Sequence, residues 1–484
     1  MNNVLVIFSA FAPQNNCASI PNTKLTKYLL RGNLKVTLVT SAITSDMEID
    51  ESLLPNEMQN ARCIRVNRSK WFEKTIFSLR NRITKSGTKQ KMKAAKKPLQ
   101  AWIVSQIKAV YFWIADYDWF YNATRQIREE LSGEHFDVVY SSYPDVCTHK
   151  LGEYIRKKGI ADIWVADFRD PICYELFNKY SYRRNDITQH RIVRKADMVT
   201  VVSEGAIEKF FYPDVDREKI HYIPNGFDPE DFSYERGQIN NAENNALHFF
   251  YAGTLYQGRR DFSVLFQALH ELIQENQILP DDVVIEYAGR ESETFLQMAD
   301  DHNMKDRCRD FGYITHQRVI ELMGSTDCTL VCSHNSEVDR GVVTGKVFEL
   351  LSAEKTIVAI ITGSLPNSEL GQIIKECNAG IVYEQANGTE EYTQFKLKLF
   401  SLVKQKKMMG RIRSNIDRDM RDKYAYQNIA KQELICRGWF LPPNTYDCGS
   451  FVVNGTAVVG KESKIPYNRC KSHRKELFFY EIYI

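Results

Sequence analysis

The segment Gly341-Val342-Val343-Thr344-Gly345-Lys346-Val347-Phe348-Glu349-Leu350-Leu351 leads through Ser352-Ala353-Glu354-Lys355 into the apolar run Thr356-Ile357-Val358-Ala359-Ile360-Ile361. It reads as a glycine-bearing loop, a short helix and a buried strand, a unit of α/β proteins. Lys346 and Glu349 lie three positions apart and share one face of the helix's first turn. A helix start presents unpaired N–H groups and a positive dipole end, which favour a phosphate. Lys346 adds charge there, and Glu349 accepts hydrogen bonds from sugar hydroxyls, so the segment suits a nucleotide diphosphate-sugar. The competing reading is that Thr344 merely caps a helix whose lysine is solvated.

Working outward, short apolar runs alternate with longer amphipathic segments, the pattern of a parallel sheet with crossover helices. The first half offers strands at Val4 to Phe8, Lys35 to Val39, Cys63 to Val66, Asp137 to Ser141, Ile163 to Phe168, Met198 to Val202 and Ile220 to Ile223. The pattern restarts at His248 to Ala252, Val283 to Ala288, Asp310 to Tyr313, Cys328 to Cys332, Thr356 to Ile361 and Gly380 to Tyr383. The break is the turn-forming Ile223-Pro224-Asn225-Gly226-Phe227-Asp228-Pro229, followed by the polar stretch Arg236 to Asn245. Two doubly wound domains facing one another are expected. Ligands of such sheets bind beyond the strands' carboxyl ends, here in the cleft between the domains.

A length of 484 residues fits two ordinary domains, and 43% hydrophobic with 26% charged residues describes a soluble globular protein. A net charge of +3 does not call for nucleic acid. The eleven cysteines form no CxxC pair and read as reduced, buried thiols of a cytoplasmic protein. The opening run Val4 to Phe8 is too short for a signal or membrane helix.

Residues 67–108 hold a dozen Lys and Arg against one acid, Glu73, interleaved with Trp71, Phe72, Phe77 and Trp102. Tyr111-Phe112-Trp113 and Trp119-Phe120-Tyr121 follow closely. A basic, aromatic helical insertion over 67–121 suits the anionic inner face of a membrane, each cation contributing about 1 kcal/mol. A solvated helical hairpin is the alternative, and no nucleic-acid recognition motif accompanies the charge. Residues 441–484 leave the α/β pattern. Asn454-Gly455 within 451–459 signals a hairpin, and Cys448, Cys470 and His473 lack metal-ligand spacing.

Four stretches together resemble the retaining glycosyltransferases of family 4, whose fold is GT-B. Ala196 to Glu204 is similar to that family's last N-domain strand, and Tyr222-Ile223-Pro224-Asn225-Gly226-Phe227-Asp228 to its interdomain linker. Tyr251-Ala252-Gly253-Thr254-Leu255 with Gly258-Arg259-Arg260 resembles its phosphate loop. Gly312-Tyr313 through Asp327-Cys328, with Gly345 to Glu349, resembles its nucleotide-binding end. The resemblance spans about residues 1 to 437. It implies an N-terminal acceptor domain (1–225), a nucleotide-sugar domain (226–405) and C-terminal crossover helices (406–440), with a tail at 441–484.

The reaction implied is transfer of a hexose from a nucleotide diphosphate-sugar to an acceptor hydroxyl with retention, in cell-surface polysaccharide assembly. Arg260 and Lys346 would neutralise the departing diphosphate, and Glu349 would bind the donor ribose. Gly253, Thr254, Arg259 and Gly345 complete the donor side. Asp170, in Asp167-Phe168-Arg169-Asp170-Pro171, would orient the acceptor hydroxyl. Arg169 would meet a lipid-linked acceptor's phosphate, and Asp145 lines the same edge; an Arg–Asp pair that closes a loop is the competing reading. No metal or resident cofactor is expected, and the protein is placed in the cytoplasm, peripheral at the membrane.

The chain departs from the family pattern at Gly341, where a glutamate is common, at Thr254, where an arginine often stands, and in the Asn15 to Ala18 loop, where a glycine pair is usual. These departures leave two alternatives: a nucleotide-sugar epimerase on the same fold, and an inactive membrane-associated scaffold. No Gly-x-Ser-x-Gly or Gly-x-Gly-x-x-Gly supports a hydrolase or dehydrogenase.

Overall fold

The computed structural model describes residues 3–45, 47–77, 98–172, 179–231, 245–256 and 259–435. The first sheet contains β1 (Asn3–Phe8), β2 (Lys35–Ser41), β3 (Arg62–Val66), β4 (Phe136–Ser142), β5 (Ala161–Phe168), β6 (Met198–Val201) and β7 (Ile220–Tyr222). The second contains β8 (Leu247–Ala252), β9 (Val283–Ala288), β10 (Cys308–Asp310), β11 (Cys328–His334), β12 (Thr356–Thr362) and β13 (Gly380–Glu384). Among the described residues the helices are α1 (Ser19–Arg31), α2 (Pro98–Glu130), α3 (Val146–Lys157), α4 (Lys179–Lys195), α5 (Glu204–Ile207), α6 (Ser263–Gln274), α7 (Ser292–Asp300), α8 (His316–Ser325), α9 (Lys346–Ser352), α10 (Glu369–Glu376), α11 (Gly388–Met409), α12 (Arg418–Asp422) and α13 (Tyr426–Ile435).

The strand orders are β3-β2-β1-β4-β5-β6-β7 and β10-β9-β8-β11-β12-β13, with every pairing parallel. Both are doubly wound, Rossmann-like sheets. Side chains alternate between two cores: Leu5 and Ile7 pack on one face of β1, Val4, Val6 and Phe8 on the other. In the second sheet Phe249 and Tyr251 pack on one face, Phe250 on the other. Burial on both faces is why these strands read as unbroken apolar runs.

The order reverses between β1 and β4 in one sheet and between β8 and β11 in the other. The loops after those strands therefore border the crevice in which such sheets bind ligands. They are the segments around Cys17, Tyr143 to Asp145, Gly253 to Arg260, and Asn335 to Gly345.

Two expectations are corrected. The strand expected at Asp310 to Tyr313 is Cys308–Asp310, because Gly312 turns the chain with φ of +62°. The expected insertion boundary at 121 does not exist, since α2 runs unbroken to Glu130 as the crossover helix into β4. Trp119, Ala123 and Ile127 belong to the core, and Phe72 is buried too, so these aromatics fold the domain. Trp71, Phe112, Trp113, Tyr117 and Tyr121 are exposed. The lysine cluster Lys89 to Lys97, the linker stretch at 236–244, Gly258 and the tail at 441–484 lie outside the described residues.

The interdomain linker is fastened to α1. Asp228, fully buried, accepts from Lys24 Nζ at 2.9 Å, Lys27 Nζ at 2.6 Å and Tyr28 Oη at 2.7 Å. Burial alone would raise its carboxyl, but the two ammonium groups and the phenol outweigh that and hold it well below the usual carboxylate range. Phe227 exchanges backbone hydrogen bonds with Tyr424 and Tyr426 at 3.0 and 2.9 Å. From there α13 returns to the first sheet, where Tyr426, Ile429 and Ala430 pack with Leu25, Tyr28 and Leu29.

Candidate active site

The β8 strand ends at Ala252, and the next residue, Gly253, has φ of +148°. A Cβ there would lie 2.8 Å from Lys346 Cε and 3.0 Å from Lys346 Nζ. The lysine of α9 is thus laid against the backbone of the loop after β8, which only glycine permits. Gly345 is the exposed N-cap of α9, and Glu349 sits one turn along. Burial holds the Lys346 ammonium below the usual lysine range; Arg260 pushes the same way and Glu349 opposes.

Arg260 donates from Nη1 to Tyr251 Oη at 3.2 Å and to Thr254 O at 3.4 Å. Its guanidinium carbon stands 4.6 Å from the Tyr256 ring centroid. Arg259 points to Asp339 at 3.8 Å. Gly253, Thr254, Arg260, Gly345, Lys346 and Glu349 therefore gather on one wall of the cleft, a cationic surface of the kind that holds a diphosphate.

The opposite wall comes from the first domain. Exposed Cys17, in the β1–α1 loop, is near enough to Asp170 and Lys346 for both charges to act on its thiol. Charges from both domains, Asp170 on one and Lys346 on the other, thus act on the Cys17 thiol. Arg169 instead bonds Asp167 Oδ2 at 2.7 Å and Asn225 Oδ1 at 2.8 Å. Asp167, fully buried, also accepts from Ser142 Oγ at 2.6 Å and Thr200 Oγ1 at 2.7 Å. The loop-closing arginine–carboxylate pair is therefore made with Asp167, and it ties β5 to the linker.

Asp145, at the N-cap of α3, makes no capping bond. It faces Asp116 of α2, whose carboxyl is pushed up to about 7 by burial first and by the Asp145 charge second. Burial first, and then the charges of Asp170, Asp145 and Asp116, raise the Tyr143 phenol. No signal in the sequence marked Asp116 as their neighbour, because the proximity exists only once α2 packs beside β4.

The two domains touch at both rims. Glu369 accepts from Glu204 N at 2.9 Å and Gly205 N at 3.0 Å. Beside it a Cβ on Gly341 would lie 2.4 Å from Ala206 N and from Gly205 C, and its φ is +77°. The departure at this position is steric: the backbones meet where the family pattern has a glutamate. At the other rim Glu48 accepts from Arg290 Nη2 at 2.5 Å and Tyr313 Oη at 2.9 Å. Among the described residues no His, Cys, Asp or Glu side chains group as a metal site, and no helix is long and apolar enough to cross a membrane.

The family model described as Glycosyltransferase Family 4 matches residues 75–231. None of the curated proteins matches. Among solved structures, sucrose-phosphate synthase from Thermosynechococcus elongatus is 13% identical with a TM-score of 0.54, covering 90% of this chain and 97% of that one. Anabaena HepE in complex with UDP is 14% identical with a TM-score of 0.53, covering 90% and 98%. The same protein in complex with UDP-glucose gives 13% and 0.50, covering 89% and 97%. At these identities the likeness is one of fold, and the fold is GT-B: two Rossmann-like domains closing on a central cleft.

Proposed function

We propose that this protein is a retaining, hexosyltransferase-type glycosyltransferase that takes its sugar from a nucleotide diphosphate-sugar. The observation that carries the reading is Lys346 lying against the backbone of Gly253, close enough to Arg260 to feel its charge. HepE, of the same fold, binds UDP and UDP-glucose. In this reading Arg260 and Lys346 meet the charge that builds on the departing diphosphate, which lowers the barrier to breaking the anomeric bond. Glu349 receives the ribose hydroxyls, and the backbone at Gly253, Thr254 and Gly345 admits the phosphates. Arg259 lies at the donor's edge. Asp170 orients the acceptor hydroxyl, with Asp145 and Arg169 along the same edge. The reading asks for no resident metal or cofactor.

The acceptor is a lipid-linked or glycan hydroxyl at the inner face of a membrane, in surface-polysaccharide assembly, with the enzyme peripheral in the cytoplasm. Helix α2 spans about 50 Å at 1.5 Å per residue, more than twice the length of β4. Its first half, with exposed Phe112 and Trp113, therefore projects past the sheet's cleft edge, next in sequence to the lysine-rich 85–97. The exposed aromatics of that half, preceded in sequence by the lysine-rich stretch, support contact with anionic lipid. The test is NMR of the anomeric product formed from UDP-, GDP-, ADP- and dTDP-sugars with lipid-linked acceptors. Retained configuration in an acceptor-dependent product supports the reading. Acceptor-independent conversion of the donor points to the epimerase, and no turnover of any donor by folded protein overturns transfer.

A further inference from the structure

The loop after β8 rests on two buried tyrosines. Tyr251 of β8 and Tyr287, its register partner on β9, stack 6.1 Å apart at 21°. Tyr251 Oη donates to Thr254 O and Tyr287 Oη to Gly253 O, each at 3.0 Å. Each hydroxyl also accepts, from Arg260 Nη1 and from Glu291 N respectively, both at 3.2 Å. Hydroxyls in an aromatic core are costly unless satisfied, and these two are satisfied by that loop and by Glu291 N.

The consequence lies in the loop's N–H groups. Gly253 N bonds Ala288 O at 2.9 Å. The Glu291 carboxylate takes Leu255 N at 2.5 Å and Tyr256 N at 3.0 Å. In a planar trans peptide the Gly253 carbonyl and the Thr254 N–H point opposite ways. Drawing that carbonyl onto Tyr287 leaves the Thr254 N–H pointing away from the tyrosine layer. Through its one hydroxyl Tyr251 then fixes the neighbouring Thr254 carbonyl and the Arg260 guanidinium together.

We propose that Tyr251 is a positioning residue for the diphosphate of the donor, acting through Arg260 and the Thr254 peptide, with Tyr287 setting the adjoining peptide. The inference rests on the donor-site reading above. Burial pushes the Tyr251 phenol up to about 12, so the hydroxyl stays protonated and both donates and accepts at neutral pH. Phenylalanine keeps the ring packing against Phe262, 4.7 Å away, and removes only the hydroxyl.

The experiment titrates UDP, GDP and ADP, and uridine, guanosine and adenosine, against native protein, Tyr251→Phe, Tyr287→Phe, Arg260→Ala and the Tyr251→Phe/Arg260→Ala double variant. For the diphosphate that native protein binds tightest, Tyr251→Phe should weaken binding about 10-fold while the matching nucleoside is unaffected. In the Arg260→Ala background the same change should cost less than about threefold, the signature of coupled residues. Tyr287→Phe, which leaves Arg260 untouched, should lower diphosphate affinity less. Native-like diphosphate binding by Tyr251→Phe, or equal loss of nucleoside and diphosphate, overturns the inference and leaves the donor site standing. No diphosphate binding by native protein overturns both.

Discussion

Gly253→Ala probes the contact on which the donor site depends. The new methyl would sit 2.8 Å from Lys346 Cε, 3.0 Å from Nζ and 3.3 Å from Tyr251 Oη. The tyrosine ring is packed in the core, so the lysine end gives way and the ammonium leaves the loop. A non-glycine residue at φ of +148° also carries about 1–3 kcal/mol of backbone strain. Loss of one charge-assisted contact to the diphosphate removes about 1.5–3 kcal/mol, or about 10- to 150-fold in affinity. Gly159→Ala is the control: Gly159, just past the end of α3, also has a left-handed φ, +67°, and nothing lies within 4 Å of a Cβ placed there. It carries similar backbone strain but should keep affinity within about twofold, since no site contact is lost. Urea unfolding gives the strain, and calorimetric titration with nucleotide-sugars gives the affinity. Native-like binding by Gly253→Ala, or an equal loss in Gly159→Ala, would rule out the contact.

Three further outcomes follow from the geometry. Because the folded protein holds Lys346 below the usual lysine range, it sheds that proton before the unfolded chain does. Raising pH through this window therefore favours folding but weakens donor binding, which needs the charged form. Lys346→Arg should remove the alkaline fall in donor affinity, and a fall unchanged in that variant contradicts the assignment. Gly341→Glu should not restore a family feature: with Ala206 N at 2.4 Å from its Cβ, it should part the domains, enlarge the radius of gyration in X-ray scattering and cut transfer at least about 10-fold. Unchanged scattering would be evidence against the contact. Asp228→Asn leaves Lys27, 8% exposed at its side chain, with Glu230 Oε2 at 2.7 Å as its remaining carboxylate and should cost roughly 1.5–3 kcal/mol in urea unfolding. The stability Asp228 supplies is present above the ordinary carboxylate range and fades as pH falls through its depressed value; a loss under about 1 kcal/mol on substitution would contradict the clamp.

The strands are legible in the sequence because a parallel sheet covered on both faces demands continuous apolar runs, such as Thr356 to Ile361. The short edge strand β10 is misplaced because its place is set by Gly312 rather than by apolar content. The end of the basic insertion is misread for the opposite reason. Helical periodicity does not change anywhere between Pro98 and Glu130, so nothing local separates exposed Trp113 from buried Trp119. At the site, Gly253 and Lys346 are legible because a glycine after a strand and a lysine at a helix start carry local meaning. Arg169 is not, since its partner Asn225 lies 56 positions away. The rim contacts Glu48 with Arg290, 242 positions apart, and Glu369 with Gly205 arise from domain closure alone. Tyr251 looks like any buried aromatic until its hydroxyl is followed to the loop above.

Calorimetric titration of native protein and Lys346→Ala with UDP-, GDP-, ADP- and dTDP-sugars decides whether Lys346 belongs to a donor site. One nucleotide class should bind the native protein, and Lys346→Ala, still folded, should lose that binding. Absence of binding in every class by folded native protein, or equal binding by the variant, would contradict that assignment.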